Sequence, residues 1–100
     1  MAETQVTSES KIKLNVGLHE RRVGDKVFVL DRSSVMHAFD NDVAVTIWDL
    51  LSAASPQAIS LNTITKEIVA AFEVSQEVAV GDALSFAQLL LARGIVSRAD

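Results

Sequence analysis

Polar and apolar residues alternate from Lys11 to Val16, in the order Lys-Ile-Lys-Leu-Asn-Val. That is the period of a strand with one face buried. Gly17 breaks the run, and extended structure resumes at Glu20 to Val23. Gly24-Asp25 then forms a two-residue turn of the kind that closes a tight hairpin, because glycine accepts positive φ. Lys26 to Leu30 runs back, with Val27 and Val29 on one face and Lys26, Phe28 and Leu30 on the other. A four-residue turn, Asp31 to Ser34, leads into Val35 to Phe39. The pattern predicts a three-stranded antiparallel meander whose last strand leaves an open edge.

From Asp40 onward the period changes to that of a helix. Asn41 or Asp40 supplies the side-chain acceptor for the first free N–H groups, and the carboxylates suit the positive helix end. Val43, Ala44, Ile47, Trp48, Leu50 and Leu51 follow at helical spacing, and the helix ends near Ala53, before Ser55-Pro56. Ser60 caps a second helix with Leu61, Ile64, Ile68, Ala71 and Phe72 on one face. Ser75 caps a third that runs to about Arg93, and Gly94 provides a left-handed C-terminal cap. Ile95 and Val96 pack back, and Ser97 to Asp100 fray.

The third helix is apolar on more than one face. Ala83, Phe86, Ala87 and Leu90 form one stripe, flanked by Val80, Leu84 and Leu91 on one side and by Leu89 with Asp82 and Arg93 on the other. Such a helix is either central in the core or presents a groove, and both readings stay open.

The 100 residues suit a single domain, with 49% hydrophobic and 22% charged residues, so burial needs neither disulfides nor metal. There is no cysteine, which fits a reducing compartment. A net charge of −4 argues against a nucleic-acid footprint and favours a neutral or basic partner. Residues 1–10 are polar and acidic and read as a disordered tail ahead of one domain over 11–97. They lack the features of a signal peptide, and no apolar run is long enough to span a membrane. A cytoplasmic protein is the expectation.

Catalytic chemistry is not evident. His19-Glu20-Arg21-Arg22-Val23 lacks the second histidine of a zinc-protease helix. Two histidines without cysteine do not make a common structural zinc site. His37 alternates with Val35 and Phe39, and reads as a packed or edge histidine rather than a base. Asp40-Asn41-Asp42 starts like a calcium loop but lacks its glycine and closing glutamate, so helix capping explains it better. No phosphate-binding glycine loop and no nucleophile elbow is present. Arg21-Arg22 reads as a solvated strand end or a contact for an acidic segment.

Strands followed by three helices, Ile47-Trp48-Asp49-Leu50-Leu51 in the first, and a closing Asp82-Ala83-x-x-Phe86-Ala87-x-x-Leu90-x-x-x-Gly94-Ile95 resemble the PqqD family, the peptide chaperones also called RiPP recognition elements. Arg22-Val23-Gly24-Asp25, Val29-Leu30-Asp31, Asn41, Ile64, Ile68 and Phe72 add to the resemblance, which covers Arg21 to Val96. Two departures stand out. Ser33-Ser34-Val35 replaces a usual glycine before the third strand, and Asp40-Asn41 replaces a usual Leu-Asn, so the register of Val35 to Phe39 is open by one residue.

The resemblance implies an α+β, winged-helix-like domain with no enzyme activity and no cofactor. It implies binding of the leader segment of a ribosomally made precursor peptide, as in bacterial natural-product biosynthesis. The leader would add as a strand along Val35, Met36, His37, Ala38 and Phe39 and lie against the third helix, with Asp82, Phe86, Leu89 and Arg93 in the groove. Which flank of that helix lines the groove stays open. A separate modifying enzyme, such as a radical-SAM enzyme, a leader peptidase or a cyclase, would receive the peptide, and neither nucleic acid nor membrane is implied. Two other readings are a regulatory or homodimeric subunit docking through Val80, Leu84 and Leu91, and a winged-helix DNA-binding domain, which the acidic Glu77 and Asp82 disfavour.

Overall fold

The computed structural model describes residue 7 and residues 9–99. It shows an α+β, winged-helix-like architecture. Most of the tail expected over residues 1–10 lies outside the described residues, as does Asp100. Ser10 itself is buried: its hydroxyl accepts from the Thr7 N–H at 3.0 Å, and its carbonyl accepts from the Leu61 N–H at 2.9 Å.

The chain runs β1 (Lys11–Leu14), β2 (His19–Val23), β3 (Lys26–Leu30), β4 (Met36–Phe39), α1 (Asp42–Ala54), β5 (Ile59–Ser60), α2 (Leu61–Ala71), α3 (Gln76–Ala92) and β6 (Val96–Arg98). β2, β3 and β4 form the antiparallel meander, in that order. Gly24, at φ +61°, opens the β2–β3 turn from its first central position, where positive φ is required. β1 is the centre of a second small sheet, between β5 and β6. The sequence pattern did not reveal that sheet. Ser97 and Arg98, expected to fray, pair instead with Lys13 and Ile12, because β1 has backbone groups to satisfy on both sides.

The helix ends follow local chemistry. Asn41, rather than Asp40, caps α1, its side chain accepting from the Ala44 N–H at 2.8 Å. Ser60 and Ser75 do the same for α2 and α3. Gly94, at φ +72°, ends α3: the Ile95 N–H reaches the Leu90 carbonyl and the Gly94 N–H reaches that of Leu91. This pair of bonds is the Schellman arrangement.

One core joins all the layers. It holds Ile12 of β1, Val27 and Val29 of β3, Phe39 of β4, Ile47, Trp48 and Leu51 of α1, Ile64 and Ile68 of α2, and Ala79, Ala83, Ala87 and Leu90 of α3. Burying each large aliphatic side chain contributes about 1.5–3 kcal/mol. Ala71, expected on the inner face of α2, is exposed. Thr65 is buried there, its hydroxyl donating to the Leu61 carbonyl at 2.8 Å. The alanines at positions 79, 83 and 87 let α3 lie close against the core. Leu84 and Leu91, candidates for an exposed docking flank, are partly buried against it.

Candidate functional site

The geometry of β4 follows from its turn. Asp31 organises the segment 31–35: one carboxylate oxygen accepts from the N–H groups of Ser33 and Val35, at 2.8 and 3.0 Å. Its backbone N–H reaches the Val35 carbonyl, and its carbonyl accepts from Ser34. Ser34 sits at φ +66°, the left-handed region that glycine fills without cost. Val35 therefore belongs to the turn, and the strand starts one residue later than its alternation predicts.

The register pairs Val27 with Phe39, Phe28 with Ala38, Val29 with His37, and Leu30 with Met36. Antiparallel partners alternate between hydrogen-bonded and non-bonded pairs. Asp31 and Val35 are a bonded pair, so Val29–His37 and Val27–Phe39 are bonded as well. The peptide groups of Met36 and Ala38 must then point away from β3. β3 agrees, since the two-residue β2–β3 turn fixes Val23–Lys26 as a bonded pair and turns Lys26, Phe28 and Leu30 toward β2.

His37 and Phe39 thus differ from their strand neighbours. Their backbone groups bond β3, and their side chains enter the core, at 7% and 3% exposure. His37 Nε2 meets the second Asp31 carboxylate oxygen at 2.7 Å. That contact, with the Val35 and Ser33 N–H groups, holds the Asp31 carboxyl below its ordinary value. Of the five strand positions the sequence singled out, only Met36 and Ala38 present free backbone groups. Val35 is an exposed turn residue.

Phe39 ties the edge to the helices. Its ring stacks on Trp48 of α1 at a centroid separation of 5.9 Å and meets the edge of Phe86 of α3 at 5.3 Å. Phe86 also lines a cleft of about 330 Å³ between α1 and α3, together with Asn41, Val43, Ala44, Asp82, Ser85 and Leu89. The β4 strand leads directly into it through Asp40 and Asn41. Asp82, Phe86 and Leu89 are brought together there, on the flank of α3 that faces the cleft. Arg93 stands at the C-cap of the same helix, exposed and outside the cleft lining.

Ser85, Asn41, Val43 and Ala44 were not foreseen as lining residues. Ser85 lies three positions after Asp82 and was legible from helical spacing. The α1 residues depend on how closely α1 and α3 approach, which spacing does not state. The lining is mostly apolar, with one carboxylate, one hydroxyl and one amide from Asp82, Ser85 and Asn41, a composition that suits recognition. Among the described residues no three His, Asp or Glu side chains stand together to hold a metal ion, and no helix is long and apolar enough to cross a membrane.

Comparison with known proteins agrees with this fold. No curated protein matches the chain. The solved structure of TbiB1 in complex with the TbiA(beta) leader peptide shares the fold, with a TM-score of 0.75 at 20% identity, covering 85% of this chain and 94% of that one. The family model described as coenzyme PQQ synthesis protein D (PqqD) matches residues 24–96. A match over that much of the sequence, on a meander followed by three capped helices, places this chain in the PqqD family.

Proposed function

We propose that this protein is a non-catalytic peptide chaperone, which binds the leader segment of a ribosomally made precursor and presents it to a separate modifying enzyme. One observation carries the reading: β4, unpaired on its outer side among the described residues, runs two residues on into Asn41, which lines the cleft between α1 and α3. The similarity to a protein solved with a leader peptide supports the same assignment.

An extended leader would hydrogen-bond to the outward N–H and C=O groups of Met36 and Ala38, which gives sequence-tolerant affinity. Its next residues would set an apolar side chain against Phe86, Leu89 and Val43, with Asp82 and Ser85 at the rim. His37 and Phe39 hold the strand in place, and Arg93 meets the leader only where it continues along α3. An open edge is an aggregation hazard in a domain this small, so an edge kept free is best explained by use. Ordering a flexible leader offsets much of the contact energy, which puts the binding free energy at about −7 to −9 kcal/mol, near-micromolar affinity.

The receiving enzyme would be a radical-SAM enzyme, a leader peptidase or a cyclase, acting in the cytoplasm. The test is a titration of isotope-labelled protein with the leader segment of a precursor from the native host. Amide shifts should concentrate at Met36, Ala38 and the Asp82–Leu89 face of α3. Shifts confined to other surfaces, or no binding at high micromolar concentration, would overturn the assignment.

A further inference from the structure

The other face of the meander takes no part in the cleft. Alternation places His19, Arg21 and Val23 of β2, Lys26, Phe28 and Leu30 of β3, and Met36 and Ala38 of β4 on it. The register lines them up in rows across the strands: His19 beside Leu30 beside Met36, and Arg21 beside Phe28. The Arg21 row is cationic at β2 and apolar toward β4, through Phe28 and Ala38; the His19 row is polar at β2 and apolar toward β4; and Lys26 stands beside Val23 at the hairpin end. Met36 is 58% exposed, Phe28 and Leu30 are half-exposed, and His19, Arg21 and Lys26 are exposed.

The charge on this face is one-sided. No carboxylate occupies an outward position on β2, β3 or β4, although the chain as a whole carries −4. Glu20 reaches the rim of the shallow depression of about 430 Å³ here, but it alternates to the opposite face. There its carboxylate lies 3.7 Å from Arg22, which also bonds Asp49 of α1. Among the described residues, Arg21 and Lys26 on the outer face have no such partner.

We propose that this face docks an amphipathic helix of a partner protein, one whose apolar stripe is bordered by carboxylates. Three strands at about 4.8 Å spacing make a strip about 10 Å wide between the outer strand axes, matching the 10–12 Å diameter of one helix. The apolar stripe covers Phe28, Leu30 and Met36, and its carboxylates meet His19, Arg21 and Lys26. The site leaves the outward backbone groups of β4 free, so a strand on that edge and a helix on this face can be held together.

The test uses the full chain and two alanine-based helical peptides of about 16 residues, long enough to hold helix. Both carry a leucine stripe; one is bordered by glutamates and the other by lysines. The glutamate helix should shift the amides of β2 and β3 and bind at least about tenfold tighter than the lysine helix. Arg21→Glu should remove that preference; Arg21 is exposed, and the variant's melting temperature checks its fold. Equal binding of both helices, shifts confined to the α1–α3 cleft, or no binding at millimolar peptide would overturn the proposal. So would concentration-dependent self-association that the glutamate helix does not compete with, or tighter binding to phosphatidylcholine–phosphatidylglycerol vesicles than to the peptide. No leader enters this experiment, so its failure leaves the cleft assignment standing, and the reverse holds as well.

Discussion

Proline substitution at adjacent positions of β4 should give opposite results. Proline removes a backbone N–H and is tolerated in a sheet only where that N–H faces away from the neighbouring strand. The Asp31–Val35 bond sets the phase of the ladder, directing the His37 N–H to Val29 and the Ala38 N–H outward. His37→Pro loses a ladder bond and the imidazole that meets Asp31. It should cost about 3 kcal/mol or more. In a domain of this size that lowers the melting temperature by about 12 °C or more. Ala38→Pro loses no internal bond, and its stability should stay within about 1 kcal/mol of the parent. Its leader affinity should fall, because one edge bond worth about 0.5–1.5 kcal/mol disappears. The ring also holds an incoming strand away, so a loss of about tenfold or more is expected. Thermal melts paired with fluorescence-polarisation binding of labelled leader measure both arms. An Ala38→Pro protein that melts normally and binds leader at parental affinity would refute the edge, and one that unfolds as His37→Pro does would refute the phase.

Other perturbations follow from single residues. Ser34→Gly relieves a left-handed backbone at φ +66° and should stabilise the domain by about 0.5–1 kcal/mol, read as a raised denaturation midpoint. Asp31 ionises more readily in the fold than in the unfolded chain, where its ordinary value is 3.8. Its stabilising share is therefore complete above that value and lost as pH falls through the lowered folded value, so Asp31→Asn should flatten the acid limb of a stability–pH curve. Leu89→Asp, at an exposed cleft position, should leave the melt within about 1 kcal/mol of the parent while leader affinity drops about tenfold or more. Leu90→Asp, one residue on and fully buried, should unfold the domain, as circular dichroism would show.

The elements that the sequence revealed are those set by local chemistry. Asn41, Ser60 and Ser75 each precede a stretch of helical period, and each caps a helix. Val27 and Val29 alternate with larger residues and are fully buried. What stayed hidden depends on distant partners. Ile59–Ser60 and Val96–Arg98 are too short to show a period, and they become strands only because β1 lies between them. The start of β4 slipped by one because Ser34 adopts a glycine conformation that its identity does not announce. In the cleft, Asp82, Phe86 and Leu89 share a helical face, so their spacing was legible. Asn41, Val43 and Ala44 join them only through the packing of α1 against α3.

The central claim is that a leader strand completes the β4 edge, and residue-resolved amide hydrogen exchange with and without the host's leader segment tests it most directly. In the free protein the amides of His37 and Phe39 should be protected and those of Met36 and Ala38 should exchange rapidly. With leader bound, Met36 and Ala38 should become protected as well. Leader binding that leaves both amides exchanging at their free rates would contradict the account.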